Sequence, residues 1–174
     1  MRRILLLPLF AAACDGSAPT GPLDPASLPA MQASAATVRK AVAHGAPAYG
    51  INTGFGSLYN RHISPDQLEK LQENLVKSHA CGTGPALPDE IVRLMLFLKI
   101  QSLAYGYSGV QLTTVERLID MFNNGVMPVV YEMGSLGASG DLAPLAHLSL
   151  PLIGSGEVNV QGNRYSAAEI NGRF

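Results

Sequence analysis

The sequence has 174 residues, of which 47% are hydrophobic and 14% charged, and a formal net charge of −1. That length supports one domain with its own core, and the near-neutral charge removes the electrostatic case for nucleic acid or an acidic membrane surface. Charged residues usually approach ~25%, so the deficit implies extra surface covered by a partner chain or by a further part of the protein.

The opening stretch MRRILLLPLFAAACDGSAPTGP, residues 1–22, joins a basic start to an apolar run and then Cys14. It reads either as a divergent leader or as a lipoprotein-like signal in which Cys14 becomes the lipidated first residue. No apolar run is long enough for a membrane span. From Leu23 a helix is expected, with Asp24 as cap, Pro25 at its first position and Gly45 at its end. Leu28, Met31, Ala35, Val38 and Val42 share one of its faces. APAYGINTGFGSLYN then reads as a loop. Ser64, Pro65 and Gln67 form the pattern of a capping box at the start of a second helix, with Leu68, Leu71, Leu75 and Val76 as its stripe and Gly82 as its stop. A third, very apolar helix follows, with Ile91, Leu94, Met95, Leu98 and Ile100 expected inward. The fourth runs through Val110, Val115, Leu118, Ile119 and Phe122 to Asn124-Gly125. VMPVV reads as extended, a fifth helix is expected from Asp141 toward Leu152, and GEVNVQGNRYSA as a hairpin around Gln161-Gly162. SAAEINGRF reads as the start of another helix. The fold class is mainly α, with short extended segments and no internal repeat.

The two cysteines, Cys14 and Cys81, cannot make a disulfide framework, and Cys81 reads as a small core filler. His44, His62, His79 and His147 show no metal-ligand spacing. The chemically unusual stretch is GSLGASGDLAPLAH, residues 134–147. A phosphate-cradling loop before a helix is one reading, but no lysine follows and Asp141 would repel an anion. A nucleophilic serine is a second, although Gly137-Ala138-Ser139-Gly140 misses the G-x-S-x-G spacing. The third is ring closure, in which the Gly140 amide nitrogen attacks the Ala138 carbonyl and Ser139 dehydrates to an exposed methylene.

This stretch, with GSLGASGDLAPLAHLSLPLIGSGEV as its full extent, resembles the prosthetic-group signature of the aromatic amino acid ammonia-lyases. YGINTGFG (49–56), NLVKSHACGTG (74–84) and LKIQSLAYGYSGVQ (98–111) resemble further family segments, in the family's order, and the likeness runs from about Leu23 to Phe174. The resemblance implies the N-terminal part of that family's helical fold over residues 23–174. It implies that Ala138, Ser139 and Gly140 form 4-methylidene-imidazol-5-one autocatalytically, with no external cofactor, and that Asp141 supports the prosthetic group. It makes Tyr49 the general base that takes the substrate's β-proton. A phenol is almost wholly protonated at neutral pH, so that role needs help from the site. His79 corresponds to a position that discriminates substrates, because a buried polar ring edge must be paired. A histidine there resembles histidine-specific members first and tyrosine-specific ones second. The implied reaction is non-oxidative removal of ammonia from L-histidine to give trans-urocanate, in a cytoplasmic homotetramer without nucleic-acid partners. Asn52 and Thr53 read as loop-shaping, and His147 as structural. The family's carboxylate-binding arginine and a further asparagine have no counterpart in these residues. The chain therefore reads as an N-terminal portion, with a non-catalytic remnant as the competing reading.

Overall fold

The computed structural model describes residues 26–135 and 143–171. Helix α1 is Leu28–His44, followed by the loop to Ser64; α2 is Leu68–His79, β1 Thr83–Ala86 and α3 Asp89–Ala104. Next come α4 (Leu112–Asn123), β2 (Val126–Pro128), β3 (Tyr131–Met133) and α5 (Ala143–Ser149), the last continuing as a 3₁₀ turn over Leu150–Ile153. Strands β4 (Glu157–Val160) and β5 (Asn163–Ser166) and helix α6 (Ala167–Asn171) complete the order. The mainly α expectation is met.

One core joins α1, α3, α4 and α5 through Met31, Leu96, Val115, Phe122 and Leu148, closed from below by Met127 and Val130. Val115 and Phe122 lie two turns apart on α4, and Leu118 sits between them, so a regular stripe faces inward, as the sequence spacing requires. Helix α3 differs. Val92, Leu96, Phe97 and Leu103 are its buried residues, whereas Ile91, Leu94 and Leu98, expected inward, are 46%, 45% and 52% exposed. Met95 and Ile100 are only partly buried against the core. A helix that is apolar nearly all round has no single preferred face, so its neighbours decide the rotation.

The ends of the elements show where local chemistry wins. Ser27 occupies the N-cap position of α1 without a side-chain cap bond, and Gly45 ends the helix in the left-handed conformation. Asp24 and Pro25, expected to start it, lie outside the described residues. The capping box at Ser64 does not form: Pro65–Gln67 is a 3₁₀ turn in which the Gln67 N–H donates to the Ser64 carbonyl at 2.9 Å. The donor that the Ser64 hydroxyl would have satisfied is already taken by the backbone. A capping box does form at Ser166, whose Oγ accepts from the Glu169 N–H at 3.3 Å while Glu169 Oε2 accepts from the Ser166 N–H at 3.1 Å. Helix α2 ends at His79 with Ala80 as its C-cap, three residues before the expected stop.

Two small antiparallel sheets join the helices. In one, β2 pairs with β4 and β4 with β5, the hairpin turning on Gln161 (φ 51°) and Gly162 (φ 78°). Two consecutive left-handed residues make the tight turn whose twist matches the flanking strands. In the other, β1 pairs with β3 through Thr83↔Met133 and Ala86↔Tyr131, with a register irregularity between them. Nothing in Thr83-Gly84-Pro85-Ala86 alternates, so β1 exists because β3 lies beside it. Among the described residues, no helix is long and apolar enough to cross a membrane.

Candidate functional site

Tyr49 stands on the loop that leaves α1. Asn52, 2% exposed, organises that loop: its Oδ1 accepts from the Ala48 N–H at 2.7 Å and its Nδ2 donates to the Ala46 carbonyl at 3.0 Å. Gly54 N–H donates to the Arg61 carbonyl and Ile63 N–H to the Asn52 carbonyl, at 2.9 and 2.8 Å, which closes the loop on itself. Thr53 is equally buried, its hydroxyl donating to the Gly54 carbonyl at 2.9 Å. Asn52 and Thr53 thus have the loop-shaping place expected of them. The result is a rigid base beneath an exposed tyrosine: Tyr49 is 65% exposed. Its ring meets Phe55 edge-on at 6.0 Å between centroids, and its hydroxyl accepts a long 3.4 Å bond from the Gly56 N–H.

His79 is the last residue of α2. Its Nδ1 lies 2.8 Å from the Leu75 carbonyl and 3.1 Å from Ser78 Oγ. A carbonyl only accepts, so the Leu75 contact requires the proton on Nδ1, and in the neutral ring the lone pair then sits on Nε2. The helix end therefore fixes both the ring's tautomer and its direction.

Immediately after His79 the chain meets the two sides of the glycine-rich stretch. The Gly82 N–H donates to His147 Nε2 on α5 at 2.8 Å, and the His147 ring stands edge-on to Tyr131 of β3 at 5.2 Å. Gly134 enters the stretch at φ 127°, a conformation for glycine alone. A Cβ on Gly134 would lie 2.8 Å from Gly82 Cα and 3.1 Å from the Cys81 carbonyl oxygen. On Gly82, a Cβ would lie 2.8 Å from His147 Nε2. Two backbones and an imidazole occupy a space with no room for another carbon.

His147 is only 8% exposed, and burial pushes its imidazole below the usual histidine range. Desolvation disfavours the cation, and the accepting role of Nε2 requires the neutral ring. The structural reading of His147 thus has a definite content, since it ties α5 to the segment that follows His79. Cys81 departs from expectation. It is an exposed free thiol with its Sγ 3.9 Å from the Gly134 carbonyl oxygen, because its segment lies across the surface end of the junction rather than in the core.

Ala138, Ser139, Gly140 and Asp141 lie outside the described residues, as do Cys14 and the leader. Both described flanks of that stretch, Gly134 and α5, converge on Gly82. Sequence reading missed this convergence. Its signal was the glycine in CGTG, which was assigned to a helix stop. The geometry brings the segment after His79 to the flanks of the signature, while Tyr49 is held by its own separate loop.

The close approach of Gly82 and Gly134 is main chain on main chain, at the described edge of residues 136–142. Residues 9–173 match the aromatic amino acid lyase family. The chain is 58% identical over 139 residues to a histidine ammonia-lyase of Legionella pneumophila, covering 80% of this chain and 28% of that protein. It is 50% identical over 147 residues to the Vibrio cholerae histidine ammonia-lyase, covering 84% and 29%. Among solved structures it superposes on histidine ammonia-lyase from Trypanosoma cruzi with a TM-score of 0.84 and 35% identity, covering 98% of this chain and 33% of that one. The chain spans about a third or less of the length of these relatives, and by its sequence, its helical fold and the span matched it belongs to the aromatic amino acid lyase family.

Proposed function

We propose that this chain forms the N-terminal part of a histidine ammonia-lyase, which removes ammonia from L-histidine to leave trans-urocanate. The observation that carries the reading is that the family match spans Tyr49, His79 and Ala138–Asp141 together, in a chain 50–58% identical over 139–147 residues to enzymes named for that activity. In this reading Ala138, Ser139 and Gly140 are the precursors of the methylidene-imidazolone, which supplies an electrophile when formed, and Asp141 supports it.

The chain's own residues do the rest. Tyr49, exposed on its braced loop, takes the proton from the substrate's β-carbon. The Cβ–H and Cα–N bonds break, a carbon–carbon double bond forms, and the amine leaves as ammonia. His79, with its lone pair directed to Nε2 by the Leu75 contact, accepts from the substrate's imidazole N–H. Tyrosine is the second substrate this arrangement suits, because a phenol O–H can donate to the same atom. The complete protein is placed in the cytoplasm as a homotetramer by the same reading, which rests on family likeness.

The test is a chimaera in which this chain replaces the corresponding part of the Legionella pneumophila relative. Urocanate formation from histidine, followed by absorbance, is the expected result. Coumarate from tyrosine with no product from histidine would move the substrate to the second reading. No product from either, in a folded chimaera, would favour a non-catalytic remnant.

A further inference from the structure

We propose that the outward face of α3 is the docking seam for a helix from the remainder of the full-length protein, the part its relatives have outside the matched span. The proposal rests on the chain being one part of a longer family member, and not on the reaction proposed for it. Ile91, Leu94, Leu98 and Tyr105 are 46%, 45%, 52% and 45% exposed. With Gln101 they follow one another at alternating steps of three and four residues along α3 and its C-cap. That alternation makes a seam whose side chains interlock with those of a second helix lying nearly alongside. No charged residue falls on it. The buried residues Val92, Leu96 and Leu103 lie on the other side, so the core uses one face of α3 and leaves a second apolar one uncovered.

The seam is held in place. Gln101 Nε2 donates to the Tyr105 hydroxyl in a long 3.4 Å bond, which gives the seam's one amide a partner on its own helix. Gly106, at φ 76°, lies so close to Ala30 of α1 that a Cβ would be 2.7 Å from the Ala30 carbonyl carbon, and this contact fixes the end of α3. Three arguments choose the occupant. The spacing asks for a helix. A second copy of α3 would cover only these half-exposed side chains, well short of the ~800 Å² that each partner of a stable complex contributes. A segment of the same polypeptide needs less, because its tether holds it at high effective concentration. The length exists: the match covers 28% of the Legionella pneumophila relative, so most of that protein lies outside it.

The experiment places the photocross-linker p-benzoylphenylalanine at Ile91, Leu94 or Leu98, one at a time, in the purified chimaera described above. Lys70, whose side chain is 65% exposed on α2, carries it as the control. Peptide mass spectrometry after irradiation identifies what each position touches. The expected result is cross-linking to one helix of the Legionella-derived part of the same chain, at least tenfold above the Lys70 level. Cross-links between chains, seen as a band of doubled mass in denaturing gels, would overturn the proposal in favour of a second copy. No cross-link above the Lys70 level would overturn it by leaving the face to water. A chimaera that does not fold would also overturn it, since the face would not have accepted the remainder offered. Leu98→Cys is the smaller substitute should no cross-linker variant fold. Its maleimide labelling should be at least tenfold slower in the native chimaera than in urea, and equal rates would overturn the docking. Cross-linking as expected without urocanate formation would leave the docking standing and overturn the proposed function alone.

Discussion

In the loop that carries Tyr49, the side chain of Asn52 reaches back six residues to Ala46, and the backbone bonds from Gly54 and Ile63 stay within the loop. At the junction after His79, Gly82 meets His147 across 65 residues and Cys81 approaches Gly134 across 53. The loop can form from its own residues. The junction forms only once α2, β3 and α5 are in place, because bringing distant segments together costs entropy that the assembled core must offset. One region therefore holds its candidate residue, Tyr49, by local braces, and the other is held by the tertiary fold, so damage to each should look different.

The largest expected effect lies between the junction's flanks. Ser139→Ala in the chimaera should remove almost all lyase activity and leave the mass of the two waters in place, with helical circular dichroism nearly unchanged. A lost helix cap would cost only ~0.5–2 kcal/mol of stability, whereas loss of the electrophile raises the barrier by ~1.36 kcal/mol for every tenfold of rate.

Next comes the loop's own chemistry. Tyr49→Phe should lower the turnover rate by ~10²–10⁴-fold, the usual share of a general base. Ring formation and melting temperature should hardly change, since the hydroxyl is exposed and its bond to Gly56 is long. A comparable loss of stability would show that the tyrosine braces the loop instead of using it.

Stability separates the regions directly. Gly82→Ala places a carbon 2.8 Å from His147 Nε2, 3.0 Å from its Cδ2 and 3.2 Å from Tyr131 Cβ. Overpacking of that kind costs about 1–3 kcal/mol, and urea unfolding should show it across the whole cooperative transition. Asn52→Ala removes bonds at partly buried backbone groups that water can reach, so about 0.5–1.5 kcal/mol is expected. Hydrogen exchange should place that loss in residues 46–63. If Gly82→Ala proves as local as Asn52→Ala, the contrast fails.

The smallest effect is a pH dependence confined to the junction. Burial lowers the folded-state pKa of His147, while in the unfolded chain it titrates near about 6.5. Below that value the unfolded chain binds a proton that the folded one resists, so the stability contributed by the neutral ring is complete above it and declines as pH falls toward the folded value. The stability difference between the unsubstituted chimaera and His147→Gln should therefore narrow on acidification through this range. A difference that stays constant would remove the imidazole's protonation from the account.

Sequence reading named the candidate site residues by resemblance and read the Tyr49 loop from its turn formers, and the structure gives Asn52 and Thr53 the loop-shaping places expected. Reading was least successful where one residue type serves two purposes. Ser64 and Ser166 carry the same capping pattern, yet only Ser166 caps, because a 3₁₀ turn had already satisfied the donor at Ser64. Cys81 has the composition of a core residue and the position of a surface one.

By itself the sequence determined the features that neighbours in the chain decide. These include the left-handed stops at Gly45 and Gly125, the hairpin on Gln161-Gly162, the inward stripe of α4 and the polar brace of Asn52. Each follows from backbone sterics, from a regular period or, for Asn52, from hydrogen bonds to backbone within six residues, and none needs a distant partner. The tertiary structure alone decided which side of α3 is buried, that Thr83–Ala86 is a strand, and that Gly82 donates its N–H to His147 rather than ending a helix. An evenly apolar helix, a strand without alternation and a small residue with no side chain carry no local preference strong enough to choose. Packing against elements far along the chain supplies it.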